Sequence, residues 1–267
     1  MSVKIKDTVF CALDIETTGI NPLSEKIIEI GIIKFKMDSN IQKFSTLINP
    51  LKEIPENIIA IHGITDDMVK NEKPIKDIMP SIMKFIGCNP LVIQNPSFDI
   101  AFIEMELRRL NMSYPIFTAY DTVAMSRKTY QLNNYKLPTL CEHLNIQCHH
   151  HRALPDANAC MEVFRHVIRE KDHNCKWSMT DLDRYTAKIA SNFIEEIQTK
   201  EVRGHAVKKG KVYNILYSDS SGNKTERKIR VMRIYKKGKK CVLEAYCYLR
   251  EDVRYFKTEK IKMLKQV

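Results

Sequence analysis

The sequence of 267 residues lacks an apolar run long enough to cross a bilayer. Residues 1–7 also lack the apolar stretch of a secretory signal peptide. These two absences argue against a membrane-embedded or secreted chain, so we expect a cytoplasmic protein with no membrane partner. In that compartment the eight cysteines are expected to be reduced thiols, several of them buried.

The spacing of a standard zinc finger is missing as well. Cys141, His143 and the Cys-His-His-His run at 148–151 offer ligand types that suit zinc. Their intervals match no standard finger, however, and Leu140 and Leu144 indicate a helix in which Cys141 is a core residue. We therefore favour core packing over a zinc site.

An excess of positive charge is absent from most of the chain. The first 200 residues carry 24 lysines and arginines against 25 aspartates and glutamates, whereas residues 201–267 carry 19 against 7. The net charge of +11 therefore comes from a basic C-terminal region. Such asymmetry indicates nucleic acid or another anionic partner, and a merely soluble basic face is the alternative.

The chain does contain an ordered set of acidic residues. Asp14 and Glu16 follow the apolar run 8–13, which is typical of a central strand buried on both faces. Because their spacing is two, both carboxylates lie on one side of an extended chain. Gly19 then permits a turn. The sequence therefore predicts two carboxylates that share one end of a buried strand.

Two more carboxylates and a histidine follow later in the chain. Asp99 and Asp156 each begin a helical pattern, and His151 precedes Asp156 on the entering loop. Four carboxylates can hold two divalent cations, Mg²⁺ or Mn²⁺, and a neighbouring histidine can accept a proton from water. This combination suits hydrolysis of a phosphodiester bond.

Each of these residues also has a plainer interpretation when it is taken alone. An Asp-x-Glu pair occurs often by chance, Asp99 could be only a helix N-cap, and His151 stands in a solvated histidine run. The prediction therefore depends on the ordered set and not on any single member.

Residues 1–170 resemble the DEDDh proofreading exonucleases, a family typified by the epsilon subunit of bacterial DNA polymerase III. Four segments match in order: 14–19, 61–65, 95–99 and 151–157. The resemblance implies a ribonuclease H-like fold and 3′-to-5′ release of nucleoside monophosphates from single-stranded ends. It implies metal binding by four carboxylates and a histidine general base, which by position are Asp14, Glu16, Asp99, Asp156 and His151.

The same resemblance implies that several side chains lie near the terminal nucleotide of the substrate: Thr17, Thr18, His62, Asn95 and Phe98. Gln94 departs from the family, which often has histidine in that place. This departure leaves the metal ligands untouched and concerns only the contacts with substrate.

The expected fold class is α/β, with a mixed sheet flanked by helices. Strands are predicted near 8–13, 27–36, 41–48, 91–94 and 117–120. Helices are predicted near 55–60, 75–86, 98–110, 122–129, 137–144 and 155–170. Asp121 is expected to cap the helix that starts at Thr122. A further helix is predicted from Thr180 or Asp181, with one apolar stripe formed by Leu182, Tyr185, Ile189, Phe193 and Ile197.

Residues 202–267 show period-two strands and turn signals, which predict a small antiparallel β-barrel. Segments 213–217, 245–250 and 254–257 resemble the WYL domain, and this resemblance implies binding of nucleic acid or a nucleotide-like ligand. By position the candidate ligand-binding residues are Tyr246, Arg250, Arg254 and Lys257. Tyrosines packed in the core and cations on a plain surface are the alternative.

These observations predict three parts: an exonuclease domain over 1–172, a linker and connecting helix over 173–201, and a basic WYL-like domain over 202–267. The predicted activity is metal-dependent 3′-to-5′ hydrolysis of single-stranded nucleic acid, with DNA favoured over RNA. Three alternatives stay open: a proofreading subunit with a polymerase or repair partner, an RNA-trimming exoribonuclease, and a nucleic-acid sensor without catalysis.

Overall fold

The computed structural model describes residues 3–112, 117–147, 151–186, 189–190, 195–219, 222–237 and 240–267. The chain divides into two compact units, Met1–Ser191 and Asn192–Val267, which we call the first unit and the second unit. In the described residues no helix is long and apolar enough to span a membrane.

The first unit is built on a six-stranded mixed sheet. In chain order its strands are β1 Phe10–Thr17, β2 Ile27–Lys36, β3 Ser39–Leu47, β4 Leu91–Ile93, β5 Thr118–Asp121 and β6 Ile189–Ala190. The spatial order is β3-β2-β1-β4-β5-β6. Strands β1, β4 and β5 run parallel, and the three others are antiparallel to their neighbours. The α/β class with a mixed sheet is therefore confirmed.

Eight α-helices are described, all of them in the first unit: α1 Glu56–His62, α2 Asp66–Val69, α3 Ile75–Ile86, α4 Asp99–Arg109, α5 Thr122–Thr129, α6 Leu137–Leu144, α7 Ala153–Lys171 and α8 Met179–Tyr185. Helix α7 packs on β1 and β2, where Phe164 meets Phe10 and Phe35 with ring centroids 4.9 and 5.9 Å apart. This contact forms the centre of the main core, because the apolar stripe of α7 covers strands that are apolar on both faces.

The predicted connecting helix is wrong beyond Tyr185. Helix α8 starts from a capping box at Ser178 and ends before Thr186, whose backbone is extended. Residues 189–190 then pair with the edge of β5, and Ile197 belongs to a strand of the second unit. Phe193 lies outside the described residues. The open edge of β5 supplied backbone partners that an apolar period of 3.6 cannot reveal.

The polar segment around Trp177 is not a free linker. The carbonyl of Trp177 accepts a hydrogen bond from the backbone N–H of Ile5 at 3.0 Å. The centroids of the Trp177 and Tyr185 rings lie 5.3 Å apart. Tyr120 also donates from its hydroxyl to Asp183 at 2.7 Å. The segment is therefore part of the first unit.

The second unit is an antiparallel sheet with its own core. Its strands are β7 Glu195–Ile197, β8 Thr199–Val202, β9 His205–Lys208, β10 Val212–Ser218, β11 Lys224–Lys237, β12 Lys240–Cys247, β13 Asp252–Lys257 and β14 Ile261–Gln266. Alternate residues such as Tyr213, Ile229 and Leu243 fill the core, as their period of two predicts.

Closure of this sheet into a barrel is not seen. The main path runs β13-β12-β11-β10-β14, with β7 beside β11 and a separate β8–β9 hairpin. Over the residues that the structure describes, no ladder joins β13 to β14, which would close the path. The antiparallel sheet is thus observed, and the closed barrel stays a prediction.

Candidate active site

Asp14 and Glu16 lie on the part of β1 that extends beyond its parallel neighbour β4. Parallel pairing with β4 involves Cys11 and Ala12 only, so Asp14 and Glu16 lie beyond the end of that neighbour. On the other side β1 stays paired with β2 through both residues. One flank of the strand is therefore open to side chains from the following helices.

Asp99 approaches this opening from α4. It is the first residue of the helix and is buried, while Asn95 begins the preceding turn with φ at 59°. Asp121 fixes that turn, since its carboxylate accepts the N–H groups of Asn95 at 3.1 Å and Val123 at 2.9 Å. The predicted capping role of Asp121 is confirmed, and the same side chain also anchors the segment that carries Asp99.

Helix α7 can bring Asp156 to the site because Gly31 of β2 lies beneath the first turn of the helix. A Cβ atom built on Gly31 would lie 2.4 Å from the carbonyl carbon of Ala153 and from the nitrogen of Leu154. Any larger residue at this position would displace the helix. Gly31 therefore sets how closely Asp156 approaches β1.

An ion pair between buried Glu29 and partly exposed Arg152 fixes the segment before α7. The Glu29 carboxylate accepts hydrogen bonds from Arg152, at 3.1 Å from Nε and 2.7 Å from Nη2, and from the backbone N–H of Ala153 at 2.9 Å. Arg152 gives the helix no side-chain cap, so the carboxylate of Glu29 satisfies the helix N-terminus from the neighbouring strand. Sequence reasoning missed this pair, although a lone acid within an apolar strand was the available signal.

The structure brings three of the four predicted metal ligands together. Carboxylate oxygens of Asp14, Glu16 and Asp156 all lie within 4.8 Å of one another. Asp99 lies outside this group of three but interacts with the charge of Asp14. Among the described residues this is the one group of three or more His, Cys, Asp or Glu side chains that could hold a metal ion.

The pKa values of the group show how unfavourable its charges are. Burial raises the pKa of Asp14 well above its ordinary value, and the surrounding carboxylates add to the effect. Burial, with Asp156 and Glu29 nearby, raises the pKa of Glu16 to about 8. Burial also raises the pKa of Asp99, against backbone hydrogen bonds that lower it. A bound cation would remove this repulsion.

The two predicted histidines differ in environment. His151 is exposed, has a left-handed φ of 66°, and donates its backbone N–H to Asp156 Oδ2 at 2.9 Å. His62 is buried, and its Nδ1 accepts the N–H of Ile64 at 2.9 Å. Burial lowers the pKa of His62. His151 is thus the histidine at the solvent side of the carboxylates.

The four other predicted substrate residues fall into two groups. Thr17 and Thr18 are buried, and their hydroxyls donate to Gly19 O and Glu25 Oε2, each at 2.7 Å. These hydrogen bonds hold the turn after β1, and contact of the two threonines with substrate stays a prediction. Asn95 is exposed at the turn, and Phe98 is half-buried against Phe102, with ring centroids 5.0 Å apart.

The zinc alternative gains no support. Cys141 is buried in α6, as its apolar neighbours predict, and the His143 ring packs 5.0 Å from the ring of Tyr130. Residues 148–150 lie outside the described part of the chain.

In the second unit, four side chains on or next to strands β11 and β12 form what we call the tyrosine–cation face: Lys228, Arg230, Tyr246 and Tyr248. The two tyrosine rings lie 5.3 Å apart, edge to face. Lys228 Nζ and Arg230 Cζ lie 5.5 and 5.8 Å from the centroid of the Tyr248 ring. A cavity of about 550 Å³ adjoins this face at Lys228 and Tyr248.

The predicted ligand residues of this unit are divided by the structure. Tyr246 belongs to the tyrosine–cation face, and Lys257 occupies the same side of the sheet, opposite Val242. Arg254 lies opposite Ala245, on the other side, and Arg250 is in the turn before β13. Sequence spacing could not separate them, because pairing register decides which residues share a face.

The fold and the acidic group together define a ribonuclease H-like nuclease unit. Comparison with known proteins is consistent with this class: the sequence model of the family described as "Exonuclease" matches residues 11–164, more than half of the chain. The chain belongs to this exonuclease family. The model of the WYL domain matches residues 201–266, so both resemblances are confirmed.

Curated relatives include polymerases and a polymerase subunit. The DNA polymerase III PolC-type of Caldanaerobacter subterraneus subsp. tengcongensis is 37% identical over 163 residues, which are 60% of this chain and 12% of that protein. The DNA polymerase III subunit epsilon of Treponema pallidum is 33% identical over 71% of this chain and 88% of its own. The chain thus spans about an eighth of the PolC-type relative and most of the epsilon subunit.

Solved structures share the fold. Exonuclease X in complex with 5′ overhanging duplex DNA aligns with a TM-score of 0.52 and 24% identity, over 66% of this chain and 98% of that one. The nuclease domain of 3′hExo, a DEDDh family member bound to rAMP, aligns with a TM-score of 0.51 and 17% identity, over 63% and 94%.

Proposed function

We propose that the first unit hydrolyses phosphodiester bonds at the 3′ ends of single-stranded nucleic acid, DNA in preference to RNA, and releases nucleoside 5′-monophosphates. The observation that carries this proposal is the group of three carboxylates, Asp14, Glu16 and Asp156, held within 4.8 Å at the open end of β1. Membership of the exonuclease family supports the same chemistry.

The carboxylate group fits divalent cations of the Mg²⁺ or Mn²⁺ type. It offers oxygen donors only, which is the ligand set that these hard cations prefer. It also brings together acids whose pKa values are raised by burial and by one another, so a cation would relieve a cost that the fold otherwise bears. Two such ions, when bound, would stabilise the charge on the attacking and leaving oxygens.

Each side chain has a proposed role. Asp14, Glu16 and Asp156 would hold one ion, and Asp14 with Asp99 would hold the other, directly or through water. His151, exposed beside Asp156, accepts the proton of the attacking water at its imidazole. The Glu29–Arg152 pair keeps the segment that carries His151 against the sheet.

The second unit is proposed to bind single-stranded nucleic acid on the tyrosine–cation face. Aromatic rings can stack on bases of any sequence, and cations beside them neutralise phosphates. The excess positive charge of residues 201–267 supports a polyanionic ligand. Binding there would keep substrate near the first unit by raising its local concentration.

A proofreading role with a polymerase partner is the second candidate. It is favoured by the similarity to a DNA polymerase III epsilon subunit along 88% of that relative. Co-purification of the full chain with a polymerase from cells would support it, whereas a chain that is fully active and always isolated alone would count against it.

The decisive experiment uses 5′-labelled DNA and RNA strands of matched sequence with the full-length protein and Mg²⁺ or Mn²⁺. We expect a ladder of products shortened one nucleotide at a time, free nucleoside 5′-monophosphates, and faster loss of the DNA strand. A blocked 3′ end should prevent the reaction. Internal cleavage, or no digestion with either metal, would refute the proposal, and preferential RNA digestion would select the exoribonuclease alternative.

A further inference from the structure

A cleft at the turn that precedes Asp99 has no role in the proposed chemistry. It has a volume of about 690 Å³, and the lining side chains that matter here are Gln94, Asn95, Arg127, Asn134, Tyr135 and Lys136. Asn95 links the cleft to the helix that carries Asp99, because its carbonyl accepts the N–H of Phe98, the residue before Asp99, at 3.2 Å. The cleft therefore begins where the helix of Asp99 begins.

The cleft carries two exposed cations in a part of the chain that has no excess of positive charge. Arg127 and Lys136 both face solvent at its wall. The guanidinium carbon of Arg127 lies 5.2 Å from the centroid of the Tyr135 ring, so this cation lies against a flat aromatic surface. In the described residues neither cation forms an ion pair with a carboxylate, which leaves both available to an anionic ligand.

The walls of the cleft are held in place by their own hydrogen bonds. Gln94 donates from Nε2 to the carbonyl of Tyr135 at 2.9 Å and accepts from the hydroxyl of Thr122. Asn134 Oδ1 accepts the N–H of Lys136 at 3.1 Å and the hydroxyl of Thr139 at 2.7 Å. A site whose walls are fixed before binding loses less entropy when a ligand enters.

We infer that this cleft binds the substrate strand on the 5′ side of the terminal nucleotide. Arg127 and Lys136 would contact its phosphates, and the Arg127–Tyr135 stack would support an unpaired base. The inference rests on the proposed function and extends it, because it names the path of the strand away from the carboxylates. Gln94 ties the end of β4 to the loop that forms the far wall of this cleft, through its hydrogen bond to the carbonyl of Tyr135.

The test compares two double variants with the same loss of charge in the full-length protein. Arg127→Ala/Lys136→Ala removes the cations of the cleft, and Lys43→Ala/Lys76→Ala removes two exposed lysines on β3 and α3. Substrates are oligothymidylates from the dinucleotide to about ten nucleotides, a length sufficient for single-strand grooves. Circular dichroism and thermal melting check that both variants fold.

For the longer strands we expect the cleft variant to raise KM about tenfold with kcat within about twofold, since substrate binding and not chemistry is weakened. Loss of two phosphate contacts should also reduce the slope of log KM against log salt by about 1.4. For the dinucleotide, which is too short to fill the cleft, the increase in KM should be smaller.

Equal kinetics for the two double variants at every length would overturn the inference. It would also be overturned if the cleft variant raised KM for the dinucleotide as much as for the longer strands. Either result with a wild type that digests DNA leaves the proposed function intact. A wild type that digests no strand with either metal would instead refute the proposed function itself.

Discussion

The two units place their charges in opposite environments. The first unit gathers carboxylates at the end of a central strand, where burial and mutual repulsion raise their pKa values. The second unit displays its excess cations on exposed strand positions, where water solvates them at little cost. Buried like charges weaken a fold and require an explanation, whereas exposed cations do not. The difference therefore makes the acidic group much stronger evidence for chemistry than the basic face is for binding.

The largest expected effect comes from removing a charge that only a cation compensates. Asp14→Asn keeps the size of the side chain and should lower the nuclease rate by about 10³-fold or more, which corresponds to about 4 kcal/mol of lost transition-state stabilisation. The same variant should melt no lower than wild type without metal, because an amide cannot ionise beside the other buried acids. Digestion of labelled DNA and thermal melting measure both.

Asp7→Asn is the matched control, since Asp7 is exposed and is not one of the grouped carboxylates. An Asp14→Asn enzyme that digests DNA at the wild-type rate would show that the buried acids have no part in catalysis.

The second effect tests whether the geometry of the acids, and not only their charge, matters. Gly31→Ala places a methyl group against the backbone of Ala153 and Leu154, so helix α7 must shift. A displacement of about 1 Å at the reacting groups can cost about 10²-fold in rate. We expect a loss of that order together with destabilisation of about 1–3 kcal/mol from overpacking.

The measurement for Gly31→Ala is kcat on a short DNA strand at saturating Mg²⁺, with urea unfolding alongside. A variant that folds and retains full kcat would show that the contact of α7 with β2 does not position Asp156.

The contrast between the units also explains what the sequence could reveal. Apolar runs predicted the bounds of β2 and the first half of β1, because a strand buried on both faces has a composition that exposed segments lack, but β1 continues through both carboxylates to Thr17. Strand β14 has no such signal, since only Ile261 and Leu264 of its six residues are buried and two exposed residues stand between them. The helix predicted beyond Tyr185 is wrong because residues 189–190 pair with the edge strand β5 instead.

The same reasoning applies to the sites. The carboxylates could be identified from sequence because their chemistry demands fixed residue types in a fixed order. The positioning residues Gly31, Glu29 and Arg152 act through contacts between segments more than 120 positions apart, for which one sequence gives no distance. On the basic face, any lysine or arginine resembles any other until the pairing register shows that Arg230 lies opposite Tyr246.

The third effect concerns the tyrosine–cation face of the second unit. Tyr248→Ala should weaken binding of single-stranded DNA about tenfold, because stacking on one ring is worth about 1–3 kcal/mol per base. Arg230→Ala should reduce the slope of log affinity against log salt by about 0.7, the amount expected for one phosphate contact. Fluorescence anisotropy of the full-length protein in EDTA measures both without digestion.

Arg254→Ala is the control for Arg230→Ala, because both remove an exposed arginine of the second unit but Arg254 lies on the other side of the sheet. If the two variants change the salt slope equally, the second unit attracts DNA by net charge alone and the tyrosine–cation face has no special role.

The smallest effect concerns stability without metal. Folding raises the pKa of Glu16 from 4.5 to about 8, so the folded state favours its protonated form. Stability from this group is therefore complete below the unfolded pKa and is lost as pH rises toward about 8. The slope is at most about 1.4 kcal/mol per pH unit for one proton. Urea unfolding in EDTA across this range measures it.

Glu16→Gln should flatten this pH dependence, and Mg²⁺ should do the same in the wild type because a cation replaces the proton as the neutralising partner. Glu53→Gln, an exposed control, should leave the slope unchanged. Parallel curves for wild type and Glu16→Gln would mean that the carboxylates of β1 are not electrostatically strained. The buried acids of the first unit would then destabilise the fold no more than the exposed cations of the second unit do. Electrostatic repulsion would no longer be evidence that the carboxylates bind a metal.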